Sequence, residues 1–301
     1  MLLWRVLAAG FGAICNSTKD GNIMSIEMRQ VEKWFTDGSG NALQAIDKVE
    51  LSIADGEFVA LLGPSGCGKS TLLNLIAGLD SVSAGELLFQ GKPVHNPGAD
   101  RAVVFQEAAL FPWLTVMENI MFAIQGGTSR EKTEKAAYYI KMVHLGKFKQ
   151  AYPYQLSGGM KQRVAIARAL ATESPVLLMD EPFAALDEQT RMMLQTELIR
   201  IWQDTKKTVV FVTHHIREAI YLAERIILFS YRPARVVKEF PINIPRPRAA
   251  GNFEIARLEA EILDHLKIEM EKAVAEEIGE EYLLEAIAGN NAAGDSVGRR
   301  I

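Results

Sequence analysis

The stretch Gly63-Pro-Ser-Gly-Cys-Gly-Lys-Ser-Thr71 decides the fold, because it matches the pattern G-x-x-x-x-G-K-[ST]. The apolar run Phe58–Leu62 before it predicts a strand, and Lys69–Ala77 predicts a helix with Gly78 as its C-cap. A loop of small residues between a strand and a helix can turn its backbone N–H groups towards a phosphate, and the helix N-terminus adds partial positive charge. The stretch therefore predicts a nucleotide phosphate site at the end of a strand.

The residues of this phosphate loop have separate expected roles. Lys69 is expected to reach the β- and γ-phosphates, and the hydroxyl of Ser70 is expected to bind Mg²⁺. Cys67 is expected to be a small loop residue and not a redox site. The predicted phosphate-binding residues are Gly63, Pro64, Ser65, Gly66, Cys67, Gly68, Lys69, Ser70 and Thr71.

A second, acidic motif follows a later apolar run. Val176-Leu-Leu-Met-Asp-Glu181 is expected to form a buried strand that ends in two carboxylates. Beside a phosphate loop these carboxylates suit two roles: Asp180 can help to hold Mg²⁺, and Glu181 can act as general base on an attacking water. The motif therefore indicates hydrolysis as well as binding.

The composition is that of an ordinary globular protein, since 49% of the 301 residues are hydrophobic and 23% are charged. The net charge of −4 argues against nucleic acid as the main partner. Two cysteines, Cys15 and Cys67, are too few for a disulfide framework and fit a reducing compartment. The apolar stretch at residues 1–14 is shorter than the roughly 20 residues that a membrane-spanning helix needs.

Strands and helices alternate along most of the chain, which predicts an α/β fold with a largely parallel sheet. Short strand-like runs between residues 25 and 62, separated by turn dipeptides, indicate an additional antiparallel part. Residues of about 112–170 are mainly helical in pattern. We therefore predict one domain over residues 25–248, followed over residues 249–301 by an extension of one or two amphipathic helices with a disordered end.

Residues 1–24 have no useful periodicity, and three interpretations stay open. They can be an unstructured segment, a short signal peptide with Arg5 as its positive charge, or the product of a wrongly assigned start. In the last case translation begins at Met24 or Met28, just before the first strand-like run. Sequencing the N-terminus of the native protein separates these interpretations.

Leu156-Ser-Gly-Gly-Met160 and the helical run 161–170 after it resemble the signature motif of the ABC ATPases, just upstream of the acidic strand as in that family. The resemblance covers residues of roughly 26–245. It implies a P-loop NTPase (RecA-like) core with an antiparallel β subdomain and an inserted α-helical subdomain. It also implies a head-to-tail dimer that encloses two ATP molecules. Ser157, Gly158 and Gly159 of one chain would then contact the γ-phosphate bound to the other, as suits N–H groups that open a helix.

The other motifs of the family follow in order. Gln106 matches the Q-loop glutamine, which contacts Mg²⁺ and the attacking water, and Asp187 matches the D-loop at the dimer interface. His214 matches the switch histidine at the γ-phosphate, although the adjacent His215 leaves open which of the two acts. The resemblance thus implies the catalytic residues Glu181, His214, Lys69 and Gln106, and the Mg²⁺ ligands Ser70, Gln106 and Asp180.

Two aromatic positions have roles in the same family. Phe35 matches the residue that stacks on adenine, with its neighbour Trp34 as the alternative; stacking needs a π face and no hydroxyl. Phe111, Pro112 and Trp113 follow the Q-loop and are expected to be exposed, because this zone of the family receives a cytoplasmic helix of the permease.

The runs 105–116 and 222–230 and the segment 244–248 look like importer ATPases of the nitrate, sulfonate and taurine type. This implies an Mg²⁺-dependent ATPase on the cytoplasmic face of the membrane, a peripheral subunit of a separate permease with a solute-binding protein as indirect partner. Three alternatives stay open: a non-transport ABC ATPase, a regulatory cassette that only binds nucleotide, and an exporter ATPase. The single cassette and the acidic net charge disfavour a non-transport ATPase. The presence of both Glu181 and His214 disfavours a regulatory cassette, and the run 105–116 disfavours an exporter.

Overall fold

The computed structural model describes residues 18–19, 22–36, 38–248 and 251–278, and the expectations for residues 1–17 and for the end of the tail lie outside them. The strands are β1 (Thr18–Lys19), β2 (Asn22–Thr36), β3 (Ala42–Ala54), β4 (Phe58–Leu62), β5 (Ala84–Phe89), β6 (Lys92–Pro93), β7 (Arg101–Val104), β8 (Val176–Asp180), β9 (Thr208–Thr213), β10 (Arg225–Phe229) and β11 (Val236–Pro241). The helices are α1 (Lys69–Ala77), α2 (Val116–Ala123), α3 (Ser129–Met142), α4 (Gly158–Ala171), α5 (Glu188–Thr205), α6 (Ile216–Leu222) and α7 (Phe253–Ile278).

The phosphate loop follows a central strand of the larger sheet, whose strand order is β11-β10-β4-β9-β8-β7. Strands β10, β4, β9, β8 and β7 are parallel, and β11 pairs antiparallel with β10 at the edge. β4, β8 and β9 are buried along their whole length, as is typical of parallel strands covered on both faces. The predicted parallel sheet is confirmed, and the carboxyl ends of its strands meet at one edge.

The smaller sheet is antiparallel, as the strand-like runs near the N-terminus predict. β2 pairs with β1, β3 and β5, and β5 pairs with β6. β2 begins at Asn22, so Met24 and Met28 lie inside this strand and not before it, and both are buried. β2 begins earlier than its apolar run predicts, because Asn22 and Ile23 pair with β1.

Helices α2, α3 and α4 occupy the region between β7 and β8 in which the sequence predicts helices. α2 and α3 each begin with a capping box, in which a threonine and a glutamate exchange hydrogen bonds. The apolar run 102–106 predicts a strand that ends at Gln106, but β7 ends two residues earlier, at Val104. The carbonyl group of Phe105 instead accepts a hydrogen bond of 3.0 Å from the Gln162 side chain on α4, so Gln106 lies in the loop beyond the strand.

The described part of the C-terminal extension is one helix, α7. Ile262 and Leu266 are buried in the larger hydrophobic core, which fixes one face of this helix to the domain. Ion pairs of Glu259 with Arg217 on α6 and of Glu261 with Lys238 on β11 flank that face. Within the described ranges, no helix combines the length and the apolar character that crossing a membrane requires.

The segment after β11 is held by a buried arginine. Arg248 is 5% exposed and donates hydrogen bonds to the carbonyl groups of Ile220 and Ala223 at the end of α6, and to that of Ile244. Burial, with a smaller contribution from Arg246, lowers the pKa of Arg248 to about 10, so the guanidinium group stays charged at neutral pH.

Replacing Arg248 by methionine is expected to lower the free energy of unfolding by about 2–4 kcal/mol, because several buried carbonyl groups lose their donor at once. Urea unfolding of the purified protein measures this difference. Arg130→Met is the matched control, since the Arg130 side chain is 88% exposed. Equal unfolding midpoints for the two variants would contradict the role assigned to Arg248.

Candidate active site

A cavity of about 650 Å³ lies where the central strands of the larger sheet end. The phosphate loop follows β4, Glu181 follows β8 and His214 follows β9, so neighbouring parallel strands carry these groups to one edge. The cavity brings together most of the predicted site: the loop residues 63–71, with Phe35, Gln106, Glu181 and His214.

The phosphate loop holds its lysine inside the cavity. The Lys69 side chain donates hydrogen bonds to the carbonyl groups of Gly63 and Pro64, at 2.8 and 2.6 Å. Cys67 is fully buried in the same loop, and burial raises the pKa of its thiol. A thiol with a raised pKa stays protonated at neutral pH, which favours a packing role over redox chemistry.

The surroundings of Asp180 show whether the site suits a divalent cation. Its side chain is buried, and its Oδ1 atom has no hydrogen-bond partner within the described residues. Burial raises the pKa of Asp180; a hydrogen bond from Ser70 lowers it, the adjacent Glu181 raises it, and Lys69 lowers it. A buried carboxylate oxygen without a donor, next to a serine hydroxyl, is an oxygen ligand pair of the kind that Mg²⁺ prefers when it also binds phosphates.

Glu181 and His214 form a pair. The Oε1 atom of Glu181 lies 3.0 Å from Nδ1 of His214, and the Glu181 backbone has φ of 43°, in the left-handed region that is unfavourable for a residue with a side chain. The Glu181 N–H group donates to the carbonyl of Val212 on β9, which holds the residue in this conformation. The carboxylate and the imidazole are therefore oriented together.

A buried polar cluster supports the loop that carries His214. The hydroxyl of Thr213 donates to Glu218 on α6 and accepts a 3.0 Å hydrogen bond from the N–H group of His215. Gln195 on α5 donates to the other carboxylate oxygen of Glu218, at 2.9 Å. Thr213, Glu218 and Gln195 are all buried, so Glu218 is a positioning residue that fixes the backbone on both sides of His214.

Replacing Glu218 by alanine is expected to lower the ATP turnover number about tenfold, because the loop around His214 loses its anchor, and to lower the free energy of unfolding by about 1–3 kcal/mol. The Kd for ATP is expected to change less than twofold, and Glu218→Gln, which keeps one acceptor, should recover part of the rate. Steady-state phosphate release and calorimetric ATP titration measure these effects. A turnover number that falls only with the folded fraction would make the role of Glu218 purely structural.

The sequence leaves open whether Phe35 or Trp34 stacks on adenine, and whether His214 or His215 is the switch histidine. Of these residues, Phe35 and His214 line the cavity. Phe35 is part of the cavity wall, whereas the indole N–H of Trp34 donates to Glu32 on the same strand. His215 is the N-cap residue of α6, and its ring contacts that of His214 at 4.1 Å between centroids. The placement favours Phe35 for stacking and His214 for contact with phosphate.

The signature residues do not line the cavity of their own chain. Ser157 is the N-cap of α4, where its hydroxyl accepts a hydrogen bond from the N–H of Met160, and it is exposed together with Gly158. A Cβ atom on Gly159 would lie only 3.1 Å from the carbonyl oxygen of Ala185, so this glycine allows the signature and the loop before Asp187 to pack closely. Asp187 itself caps α5.

The similarity to known proteins agrees with this geometry. The family model described as ABC transporter matches residues 46–184. An uncharacterized ABC transporter ATP-binding protein of Methanocaldococcus jannaschii, MJ0412, is 47% identical over 258 residues, which are 85% of this chain and 96% of that protein. The chain belongs to the ABC transporter ATP-binding proteins. The members of this family bind ATP and couple its hydrolysis to transport.

Other relatives of this ABC ATPase carry more specific names. The nitrate import ATP-binding protein NrtD of Synechocystis is 46% identical over 224 residues, 74% of this chain and 84% of that protein. The aliphatic sulfonates import ATP-binding protein SsuB of Bacillus cereus is 41% identical over 244 residues, 81% of this chain and 96% of that protein. A dimeric ATP-binding cassette, MJ0796, solved in a post-hydrolysis state with ADP and phosphate, superimposes with a TM-score of 0.67 at 36% identity, covering 73% of this chain and all of that chain.

Five residues of the cavity wall are absent from the predicted site of the ABC ATPase: Leu43, Ala45, Arg232, Leu266 and Met270. Arg232 donates from Nε and Nη2 to the carbonyl of Gly66 in the phosphate loop, and Leu266 and Met270 come from α7. Arg232 comes shortly after β10, which is a parallel neighbour of β4. Knowledge of the order of the strands, added to the sequence, could therefore have placed Arg232 beside the phosphate loop. For Leu266 and Met270 the sequence offers only a weak indication of a place in the site. They are apolar residues spaced by four in a helix that is far along the chain from the nucleotide motifs.

Proposed function

We propose that this chain hydrolyses ATP to energise the import of a small solute, such as nitrate, a sulfonate or taurine, through a separate membrane permease. The observation that carries the proposal is the Glu181–His214 pair, at 3.0 Å, in the same cavity as the phosphate loop. A nucleotide-binding protein without hydrolysis has no need of a carboxylate and an imidazole held together beside its phosphate site.

Nucleotide binding and closure use two sets of residues. Lys69, Ser70 and Thr71 hold the phosphates within one chain, and Gln106 lines the same cavity. Mg²⁺, held by Ser70, Gln106 and Asp180, would neutralise negative charge on the β- and γ-phosphates. A second copy docks head-to-tail and adds its Ser157, Gly158 and Gly159, which do not line their own cavity, while Asp187 lies at the interface. The dimeric cassette among the structural relatives supports this arrangement.

Hydrolysis follows from the groups that closure brings together. Glu181 orients a water molecule and accepts one of its protons as the oxygen attacks the γ-phosphorus, and the bond to the leaving β-phosphate oxygen breaks. His214 and Lys69 stabilise the charge that spreads over the γ-phosphoryl oxygens. Release of phosphate then allows the two chains to separate.

Import through a permease rests on two further observations. The relatives NrtD and SsuB are named as import proteins, for nitrate and for aliphatic sulfonates. The rings of Phe111, Trp113 and Phe122 form what we call the aromatic surface, with centroid distances of 5.5 and 4.7 Å from Phe111 to the other two. Trp113 is exposed, as predicted, whereas Phe111 is half-buried because the other rings and Arg168 pack against it. This surface suits a permease on the cytoplasmic face of the membrane.

Affinity purification of the tagged protein from detergent-solubilised membranes, followed by mass spectrometry, tests the proposal. A multi-span permease in the eluate is expected, and a co-purifying or co-encoded solute-binding protein would narrow the substrate. Recovery of ribosomal or DNA-repair proteins, with no permease in several detergents, would contradict the transport role and leave the ATPase chemistry intact.

A further inference from the structure

The wall of the cavity includes the C-terminal helix, far in sequence from every nucleotide motif. Leu266 and Met270 of α7 line the cavity that also contains the phosphate loop and Phe35. They share a face of the helix with the buried Ile262, since the three residues are spaced by four. Leu266 is 7% exposed, whereas Met270 is 49% exposed, so Met270 presents apolar surface that a ligand could cover.

The position of α7 is coupled to the phosphate loop through two adjacent residues. Glu269, which is 4% exposed, accepts a hydrogen bond of 2.9 Å from the N–H group of Tyr231. The next residue, Arg232, donates at 3.1 and 2.9 Å to the carbonyl of Gly66. The helix therefore has a defined place beside the loop, and Met270 directly follows the residue that anchors it.

The chemistry of this wall fits a nucleoside base. A base is flat and offers two weakly polar faces, which bind best between apolar or aromatic side chains. Phe35 and Leu43 provide apolar surface from the smaller sheet, and α7 provides a leucine and a thioether. A methionine side chain is polarisable and flexible, and packs well against ring systems.

We propose that α7 is part of the nucleotide site, and that Leu266 and Met270 cover the base of the ATP whose phosphates lie in the loop. The inference rests on the proposed binding of ATP in this cavity. It adds to the nucleotide site a wall formed by residues that lie outside all the nucleotide motifs of the chain. In this arrangement the base is enclosed by Phe35 and Leu43 of the smaller sheet and by the C-terminal helix.

Two exposed positions of α7 allow a matched test. Met270 lines the cavity, whereas Ile268, 52% exposed on the same helix, does not. Met270→Ala is expected to raise the Kd for ATP roughly fivefold, and Met270→Phe to keep or lower it, because a ring restores contact with the base. Ile268→Ala and Ile268→Phe should bind ATP as the unaltered chain does. Isothermal titration calorimetry on the full chain measures the four constants.

Inorganic tripolyphosphate is the probe that separates base from phosphate binding. The two Met270 variants are expected to bind it within about twofold of the unaltered chain, and the KM for ATP should rise in Met270→Ala with kcat unchanged. ATP binding by Met270→Ala equal to that of the unaltered chain would overturn the inference. The inference would also be overturned if the Ile268 variants lost as much ATP affinity as Met270→Ala, or if Met270→Ala lost as much affinity for tripolyphosphate as for ATP. Failure of the unaltered chain to bind ATP would instead contradict the proposed function, and the inference with it.

Discussion

Replacing Glu181 by glutamine is expected to lower the ATP turnover number by about two to three orders of magnitude, with ATP binding retained. Glutamine keeps the size of the side chain, which lies 3.0 Å from His214, but it accepts no proton from the attacking water. Because phosphate release is the step proposed to separate the two chains, the variant is expected to accumulate as an ATP-bound dimer. Phosphate release and size-exclusion chromatography with ATP measure the two effects.

Glu134→Gln is the control for this substitution, because Glu134 is an exposed residue of α3 that pairs with Arg130 at the surface. It should hydrolyse ATP at the rate of the unaltered chain and show no ATP-dependent dimer beyond it. Turnover by Glu181→Gln within a few-fold of the control would remove Glu181 from the role of general base, and His214 would then need to be tested in its place.

Local sequence motifs predict the centre of this site because its geometry is built from single strand–loop–helix units. The phosphate loop follows β4 and opens α1, with Gly78 as the C-cap at φ of 74°, as the sequence indicates. The acidic residues after β8 and the histidine after β9 are also at strand ends, and parallel strands bring such ends together whatever their separation in sequence. The position along a strand is then enough to place a residue at the site.

Other parts of the site depend on contacts between distant elements, which periodicity does not contain. The ring of Phe122 joins the aromatic surface from the last turn of α2, and nothing in the sequence around it separates an exposed apolar residue from a buried one. Likewise, Met270 reaches the cavity because contacts with distant elements, such as that of Glu269 with the backbone of Tyr231, place α7 beside the phosphate loop. The sequence predicts Gln106 at the end of a strand, but a side chain of α4 binds the carbonyl of Phe105, and β7 ends before it.

The loop that carries two rings of the aromatic surface is held by contacts with Asn119 on α2 and Arg168 on α4, which suits the docking role proposed for it. Asn119 is fully buried and bonds through its side chain to both the N–H and the carbonyl group of Phe111. Arg168 on α4 donates to the carbonyl of Ala109 and lies 5.5 Å from the centre of the Phe111 ring. These contacts connect the surface to α4, whose N-terminus carries the residues proposed to contact the ATP of the partner.

Replacing both Trp113 and Phe122 by alanine is expected to abolish recovery of the permease from membranes and to lower solute uptake by at least about tenfold. These side chains are 70% and 69% exposed, so their removal opens no cavity in the core, and neither lines the nucleotide cavity. The ATP turnover number of the purified chain should therefore stay within about twofold. Co-purification, uptake by whole cells and phosphate release are the three measurements.

Phe253→Ala is the matched control, since Phe253 is an aromatic residue 80% exposed at the start of α7, and it should leave all three measurements unchanged. Loss of the permease with turnover retained in the double variant alone would assign docking to the aromatic surface. Permease recovery equal to that of the control would place the docking site elsewhere, because a permease that binds here cannot lose two of the three rings without losing affinity. A parallel loss of turnover would instead mean that the rings support the Q-loop from within the chain.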